Sequence, residues 1–302
     1  MKNKKYSLGV DINEHSISVV ELQQNRSGLV ISAHETQQDL DYKKDIKVFS
    51  RALKNIIVKN NIQSKCAYIA IPSQQVIKKE FLFGSILNAL DVELQLNVNQ
   101  QEYFPGIDDP LVFDFMFAGQ AKDQNNSKNA IIFAAKKQEV MRRIKILNAA
   151  GLSPVCIEPD GYALLRTAII AKEFKTLENK VGIFLCTNKY TGRVIIFNQH
   201  EILYEHGIAG FQCQEELDYL QVLEKALQTF RLSYPKYQLG EIYIANVDDE
   251  SNVSKKQLEN KFNLLVVDFN PLQKLLDIKL KESDGLLLMA LGLALRKFYA
   301  RD

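Results

Sequence analysis

Between Ser7 and Leu22 the chain reads SLGVDINEHSISVVEL, two apolar runs, Leu8–Ile12 and Ile17–Leu22, around a polar bend, Asn13-Glu14-His15-Ser16. Val10 and Ile12 before the bend, and Ile17 and Val19 after it, recur every second residue. That is the period at which strand side chains return to one face, so the stretch is a β-hairpin. The same device returns at mid-chain. Val181–Cys186 is followed by the turn Asn188-Lys189-Tyr190-Thr191-Gly192 and then by strands Arg193–Phe197 and Glu201–His206, joined at Asn198-Gln199.

Helical and strand periods alternate between and after the hairpins. Leu29–Ala33 adds a strand. Asp45–Asn60 carries Ile46, Phe49, Leu53, Ile56 and Ile57 at i, i+3, i+4 spacing and predicts an amphipathic helix. CAYIAI, Cys66–Ile71, predicts a buried strand ended by Pro72, and Val76–Phe83 predicts another after the turn Ser73-Gln74-Gln75. Leu87, Leu90, Leu94 and Val98 stand at helical spacing within Ile86–Val98. Leu111–Phe117 and Ala130–Ala135 read as strands around the polar stretch Gly119–Asn129. Gln138–Ala150 predicts a helix closed by Gly151 at C′, Val155–Glu158 a strand and Gly161–Phe174 a helix. The second half continues with a helix (Glu215–Leu232), a strand (Glu241–Ala245), a helix (Val253–Lys261) and a strand (Leu264–Val267). The last helix, Ser283–Tyr299, is apolar nearly all round from Leu286 to Leu295, which predicts burial. The alternation argues for an α/β fold of sheets covered by helices. Two halves of like order place the bends near Asp11 and Asn188 on one interlobe pocket.

The totals exclude several classes. The chain has 302 residues, 46% hydrophobic and 25% charged, which suits a sizeable core. A net charge of +2 predicts neither nucleic acid nor an acidic membrane as a direct partner. The short basic spots Lys2/Lys4/Lys5, Lys78/Lys79, Lys136/Lys137 and Arg142/Arg143 read as solvated faces. Cys66, Cys156, Cys186 and Cys213 lack ligand spacing and are expected as buried free thiols in a reducing compartment. The four histidines form no HxxxH or HExxH set, so no metal site is expected. Asp11, Glu14 and Glu21 interrupt any secretory h-region. The run Gly285–Leu295 is shorter than the ~20 residues a bilayer span requires. A cytoplasmic protein, touching a membrane only through a partner, is the expectation.

Several stretches resemble the type IV pilus assembly protein PilM family, actin-like relatives of the cell-division protein FtsA. GVDINEHSISVVEL is similar to the family's G-(I/V)-D-I-G-x-x-S-x-K-x-x-E-L, and AYIAIPSQQVIKKEF to its strand, Pro-Ser/Gly turn and strand. EYFP followed by LVFDF resembles the marks of the family's inserted subdomain. AIIFAAKKQEVMRRIKILNAAGLSPVCIEPDGYALLR resembles A-A-x-K, a helix, A-G-L-x-P and E-P-x-x-x-A-L. LLLMALGLALRKFY resembles the final A-x-G-L-A-L-R-x-F helix. The resemblance implies an actin-like (ribonuclease H-like) two-lobed fold. Its first lobe would span 1–175 with an inserted subdomain at about 80–154, its second lobe 176–283, and a C-terminal helix, 284–302, would return to the first lobe. The apparent shortness of the second half resembles the reduced, HofM-like branch found in competence and DNA-utilisation operons.

In such folds the first hairpin holds a phosphate: the strand-end Asp faces Mg²⁺, a Gly lets backbone N–H groups approach the anion, and a Ser/Thr hydroxyl adds a donor. By this resemblance the cleft residues are Asp11, Asn13 at the Gly position, Ser16, Asn188 and Thr191. The family's second loop, Asp-x-Gly-x-x-x-Thr, aligns with Leu185–Thr191, so Leu185 replaces the carboxylate and Thr187 the glycine. The adenine-side Gly-Gly is replaced by Asn246-Val247-Asp248-Asp249-Glu250. A β-branched residue resists the φ > 0 that a Gly supplies, whereas Asn13 tolerates it. Three weakened elements imply a nucleotide site without hydrolysis and no tightly held cofactor. The alternative is a working ATPase that binds ATP with Mg²⁺, with Lys189, Arg193 or Asn188 reaching phosphate by another route. Asp11 also reads as a turn cap, and Asp160 as a helix cap.

The resemblance implies a non-enzymatic scaffold at the cytoplasmic face of the inner membrane. It would bind the cytoplasmic N-terminal tail of a PilN-like single-pass protein, with other pilus platform proteins as further partners. The tail's groove would lie between the first subdomain and the inserted one, near Val76–Phe83 and Leu111–Phe117. The alternating phenylalanines of those strands read first as sheet core.

Overall fold

Each hairpin seeds a five-stranded sheet. The structure, a computed structural model, describes residues 5–26, 28–42, 45–120, 127–170, 179–187, 191–199, 201–209, 217–246, 254–269 and 287–299. Strand β1 (Tyr6–Ile12) pairs antiparallel with β2 (Ile17–Asn25), Ile12 opposite Ile17 and Asp11 opposite Ser18. β3 (Gly28–Gln37) extends this meander, while β4 (Cys66–Ile71) and β8 (Ser153–Pro159) add parallel strands on the other side. The order is β3-β2-β1-β4-β8. The second half repeats it as β11-β10-β9-β12-β13. These strands are β9 (Lys180–Thr187), β10 (Thr191–Phe197), β11 (Ile202–Ala209), β12 (Gln238–Asn246) and β13 (Val266–Asp268).

Helices cover the outer face of each sheet, as its apolar alternation requires. α1 (Ile46–Lys59), capped by Asp45 accepting from the Lys47 N–H, and α4 (Lys137–Ala149) bury Phe49, Leu53, Ile56, Ile146 and Leu147 against Val10, Ile12 and Ile69. α4 closes at Gly151, whose φ of +82° suits a residue without Cβ. α6 (Leu217–Ser233) and α7 (Lys255–Phe262) do the same for the second sheet.

The inner faces share a middle layer. α5 (Asp160–Ile170) and α8 (Leu287–Tyr299) pack between Val20 and Leu22 of one sheet and Phe184, Ile195, Phe197 and Tyr243 of the other. α8 lies directly on β1: Ser7 Oγ donates to the Ala294 carbonyl at 2.6 Å. A Cβ on Gly9 would stand 1.9 Å from the Ala290 carbonyl oxygen, so only glycine permits this approach.

A smaller unit interrupts the first lobe. Its sheet, β5-β7-β6, comprises β5 (Val76–Gly84), β6 (Leu111–Gln120) and β7 (Ser127–Lys136), with α2 (Ala89–Val98) and α3 (Gln100–Tyr103) on one face. Phe83 is buried, and Phe81, Phe113 and Phe115 pack around Phe104, Val92 and Leu96. The phenylalanines are core, apart from Phe117, which is 39% exposed beneath the Lys128 ammonium. The unit's own elements run from Val76 to Lys136. That is narrower than the sequence range of about 80–154, because α4 contributes Ile146 and Leu147 to the first-lobe core.

Two further expectations change. Among the described cysteines only Cys186 is buried; Cys66 is exposed and Cys156 half-buried. Cys213 lies outside the described residues. Arg143 is not on a solvated face: it is 2% exposed, donating to the Tyr42 hydroxyl and to Glu139 at 3.2 Å. No helix among the described residues is long and apolar enough to cross a membrane.

Candidate functional site

The first bend is closed by its own side chain. The Asn13 side-chain oxygen accepts from the backbone N–H groups of His15 (2.9 Å) and Ser16 (2.8 Å). Its amide nitrogen donates to Ser16 Oγ at 2.7 Å, and the Asn13 N–H donates to the Ser16 carbonyl at 3.1 Å. Converging N–H groups with a hydroxyl form the donor set that an anion seeks. Here a neutral amide oxygen already holds both N–H groups. Asn13 works as an Asx turn rather than through a left-handed backbone; the described non-glycine residues with positive φ are Asp39, Asn61 and Asn263.

Asp11 lies one residue before the end of β1, on the face opposite Val10 and Ile12, in the cleft between the lobes. Among the described residues no hydrogen-bond donor reaches its carboxylate. Burial pushes its pKa up to about 7, and the nearby Asp160 carboxylate adds to that; Arg193 and Arg143 pull it partly back.

The matching position in the second lobe is Cys186. Ile12 and Asp11 lie opposite Ile17 and Ser18; Thr187 and Cys186 lie opposite Gly192 and Arg193. Leu185, the residue that the resemblance aligns with the family's second carboxylate, points the other way, into the core with Val181 and Ile183. A thiol thus faces the cleft at the position matching Asp11. Burial raises its pKa to about 11, so it is neutral at physiological pH. Asn188 lies outside the described residues; Thr191 opens β10, and its side chain is likewise outside the description.

Across from Cys186, Arg193 fills the space between the lobes. Its guanidinium is buried and donates to the Asp160 carboxylate at 2.6 Å and to Glu205 on β11 at 3.3 Å. Burial opposes its charge, but Asp160 and Glu205 outweigh burial and hold it protonated. Asp160 also accepts from the Ser73 N–H (3.0 Å) and Ser73 Oγ (2.7 Å). The Ser73 hydroxyl in turn accepts from the Gly161 N–H at 3.2 Å. The expected cap of α5 is therefore a residue from a distant turn, and Asp160 turns its carboxylate to Arg193. Burial and then Asp160 raise the Glu205 pKa, against the lowering effect of Arg193. The seam continues at Gly207, where the Gln74 side chain lies so close that a Cβ would stand 1.7 Å from its amide nitrogen.

Glu158, next to this cluster, makes a bidentate pair with Arg166, both contacts 2.8 Å, and a further pair with Arg296 of α8. It fastens the C-terminal helix rather than facing the cleft. None of this was legible from spacing, because Asp160, Arg193 and Glu205 lie on three separate elements. In the sequence Arg193 stands out only as an alternative phosphate contact.

A second concavity lies between the first lobe and the inserted unit. It encloses about 690 Å³ and is lined by Ile77, Ile107, Pro110, Leu111, Asp108 and Glu139, among others. Its outer wall is pinned by glutamines: Gln100 donates to the carbonyls of Ile107 and Asp109 and accepts from the Leu111 N–H. Of its three carboxylates, Asp109 pairs with Lys136 at 2.5 Å and Glu139 with Arg143 at 3.2 Å, so among the described residues Asp108 is the one without a cation and the groove is left acidic by one charge. Both strands expected to border the groove, β5 and β6, are sheet edges.

Two lobes built on one repeated sheet order, a cleft where their first hairpins meet, and a subdomain inserted in the first lobe define an actin-like protein. The sequence matches the type IV pilus assembly protein PilM family over residues 9–220, and the chain belongs to that family. Among solved structures it is similar to a PilM-PilN type IV pilus biogenesis complex at 17% identity and TM-score 0.74, covering 97% of this chain and 98% of that one. The cytoplasmic domain of EpsL, an inner membrane component of the type II secretion system of Vibrio cholerae, matches at 12% identity and TM-score 0.51, covering 91% and 97% of the two chains. The ethanolamine utilization protein EutJ from Carboxydothermus hydrogenoformans matches at 12% and 0.50, covering 96% and 89%.

Proposed function

We propose that this protein is a non-enzymatic scaffold at the cytoplasmic face of the inner membrane, in a type IV pilus or related DNA-uptake machine. The observation that carries the reading is the double closure of the old nucleotide cleft. Asn13 holds the N–H groups of the first phosphate loop, and Arg193 supplies from within the positive charge that its acidic neighbours would draw from a metal. Neither closure can open without exposing polar groups that are now paired. The cleft then serves to fasten the lobes together.

The groove at Ile77, Ile107 and Leu111 is the docking place for the N-terminal tail of a PilN-like single-pass membrane protein. Its floor offers apolar pockets and strand edges. Its acidic balance suits a tail from the cytoplasmic side of the membrane, where Lys and Arg concentrate next to spanning helices. No direct contact with nucleic acid is part of this reading.

A thermal titration tests it. Mg-ATP at millimolar concentration is expected to leave the melting temperature unchanged. A synthetic tail of the PilN-like protein from the same organism is expected to raise it; a ligand at ~100 times its Kd adds about 2.7 kcal/mol. Ile107→Glu, on the groove wall, is expected to weaken that tail at least about tenfold. A rise at micromolar Mg-ATP with none from the tail overturns the scaffold reading in favour of an ATPase.

A further inference from the structure

The apolar residues that mark α2 in the sequence are the ones it leaves outside. α2 buries Val92 and Leu96 against the inserted sheet. Leu90, Leu94 and Val98 are 69%, 63% and 76% exposed, and Ile86, one step before the helix, 91%. Spaced by four, they form one ridge on the side of the helix opposite its buried face; from Leu90 to Val98 it runs about 12 Å at 1.5 Å per residue. Scattered exposed leucines need no explanation, but an aligned row marks a contact surface.

Charge selects the occupant. From Ser85 to Glu102 the chain holds Asp91, Glu93 and Glu102 and no Lys or Arg. Lys128, near the start of α2, is committed to the Leu87 carbonyl and the Phe117 ring. A second copy of this chain would bring its own acidic helix against this one, a like-charge pairing. An anionic lipid surface attracts helices with basic polar faces, and this face is acidic. A ridge of i, i+4, i+8 side chains packs into the grooves of another helix.

We propose that the outer face of α2 is a second docking surface, separate from the tail groove, for an amphipathic helix of a partner protein whose apolar stripe is flanked by Lys and Arg. Leu90, Leu94 and Val98 provide the contact, and Glu93 pairs with the partner's basic flank. The surface does not depend on what occupies the groove between the lobe and the insert.

The test uses the full chain with two fluorescent model helices, one of Leu and Lys and one of Leu and Glu, in binding titrations. Wild type is expected to bind the Leu/Lys helix at least about tenfold more tightly than the Leu/Glu helix. Leu90→Ser with Leu94→Ser is expected to lose about tenfold for Leu/Lys with an unchanged melting temperature, since both residues are exposed. Glu93→Lys is expected to narrow the preference between the two helices about threefold. Equal Leu/Lys binding by wild type and the double variant overturns the proposal. So does a dimer in sedimentation that the double variant dissolves, or binding to phosphatidylethanolamine/phosphatidylglycerol vesicles that it abolishes.

Discussion

Arg193→Met is expected to destabilise the protein by about 3–5 kcal/mol at neutral pH, the usual effect of removing one partner from a buried ion pair. Methionine has similar length and keeps much of the packing, so the loss isolates the charge. Without the guanidinium, Asp160 and Glu205 face each other across the closed seam with neither keeping the cation that paired them. Arg193→Lys retains a charge but not the planar fork, and is expected to lose less. The pH dependence separates electrostatics from shape. Glu205 already has a raised pKa from burial and Asp160, and in the methionine variant nothing opposes that rise. Glu205 then binds its proton more readily when folded than when unfolded, so the variant's deficit shrinks as the pH falls from 8 towards 5. Urea unfolding of the three proteins at several pH values gives the comparison. A methionine variant as stable as wild type at pH 8 removes the role assigned to the cluster.

The sequence carried the frame of this fold because the frame rests on local periodicity. Val10, Ile12, Ile17 and Val19 announce the first hairpin, and Val181–Cys186 the second. Facing and long-range pairing were less legible. Alternation says which residues share a face but not which face meets the cleft: the resemblance points to Leu185, whereas the strand register puts Cys186 opposite Arg193. A helical row of apolar residues ordinarily marks a core; in α2 the row Leu90, Leu94 and Val98 looks outward, and Val92 with Leu96 supplies the buried face. Arg143 reads as surface because it sits in a basic pair, yet Tyr42 and Glu139, 101 and 4 residues away along the chain, provide its partners. Asn13 at the position where the resemblance expects a glycine is legible in the sequence. That its side chain accepts from the His15 and Ser16 N–H groups is not, because that depends on a rotamer and not on a residue type.

Asp11→Asn is expected to stabilise the protein near neutral pH, the opposite of what an essential metal ligand would do. The ordinary carboxylate pKa of 3.8 becomes about 7 in the folded cleft, through burial first and Asp160 second. A raised folded pKa means the native state keeps a proton that the unfolded chain releases. Stability attributable to Asp11 is therefore highest at low pH and declines as the pH rises from about 4 to about 7, with the full penalty present above that. A three-unit shift corresponds to about 4 kcal/mol as an upper bound, and solvent contact at the half-buried carboxylate reduces it to about 2 kcal/mol. Asparagine has the same shape and no charge, so the variant is expected to melt roughly 3–6 °C higher at pH 8 and level with wild type at pH 4. The two melting curves across that range decide the matter. If Asp11→Asn is no more stable than wild type at pH 8, the carboxylate has a compensating partner. If wild type also melts higher with Mg-ATP and the variant does not, that partner is a bound metal and the cleft is a working nucleotide site.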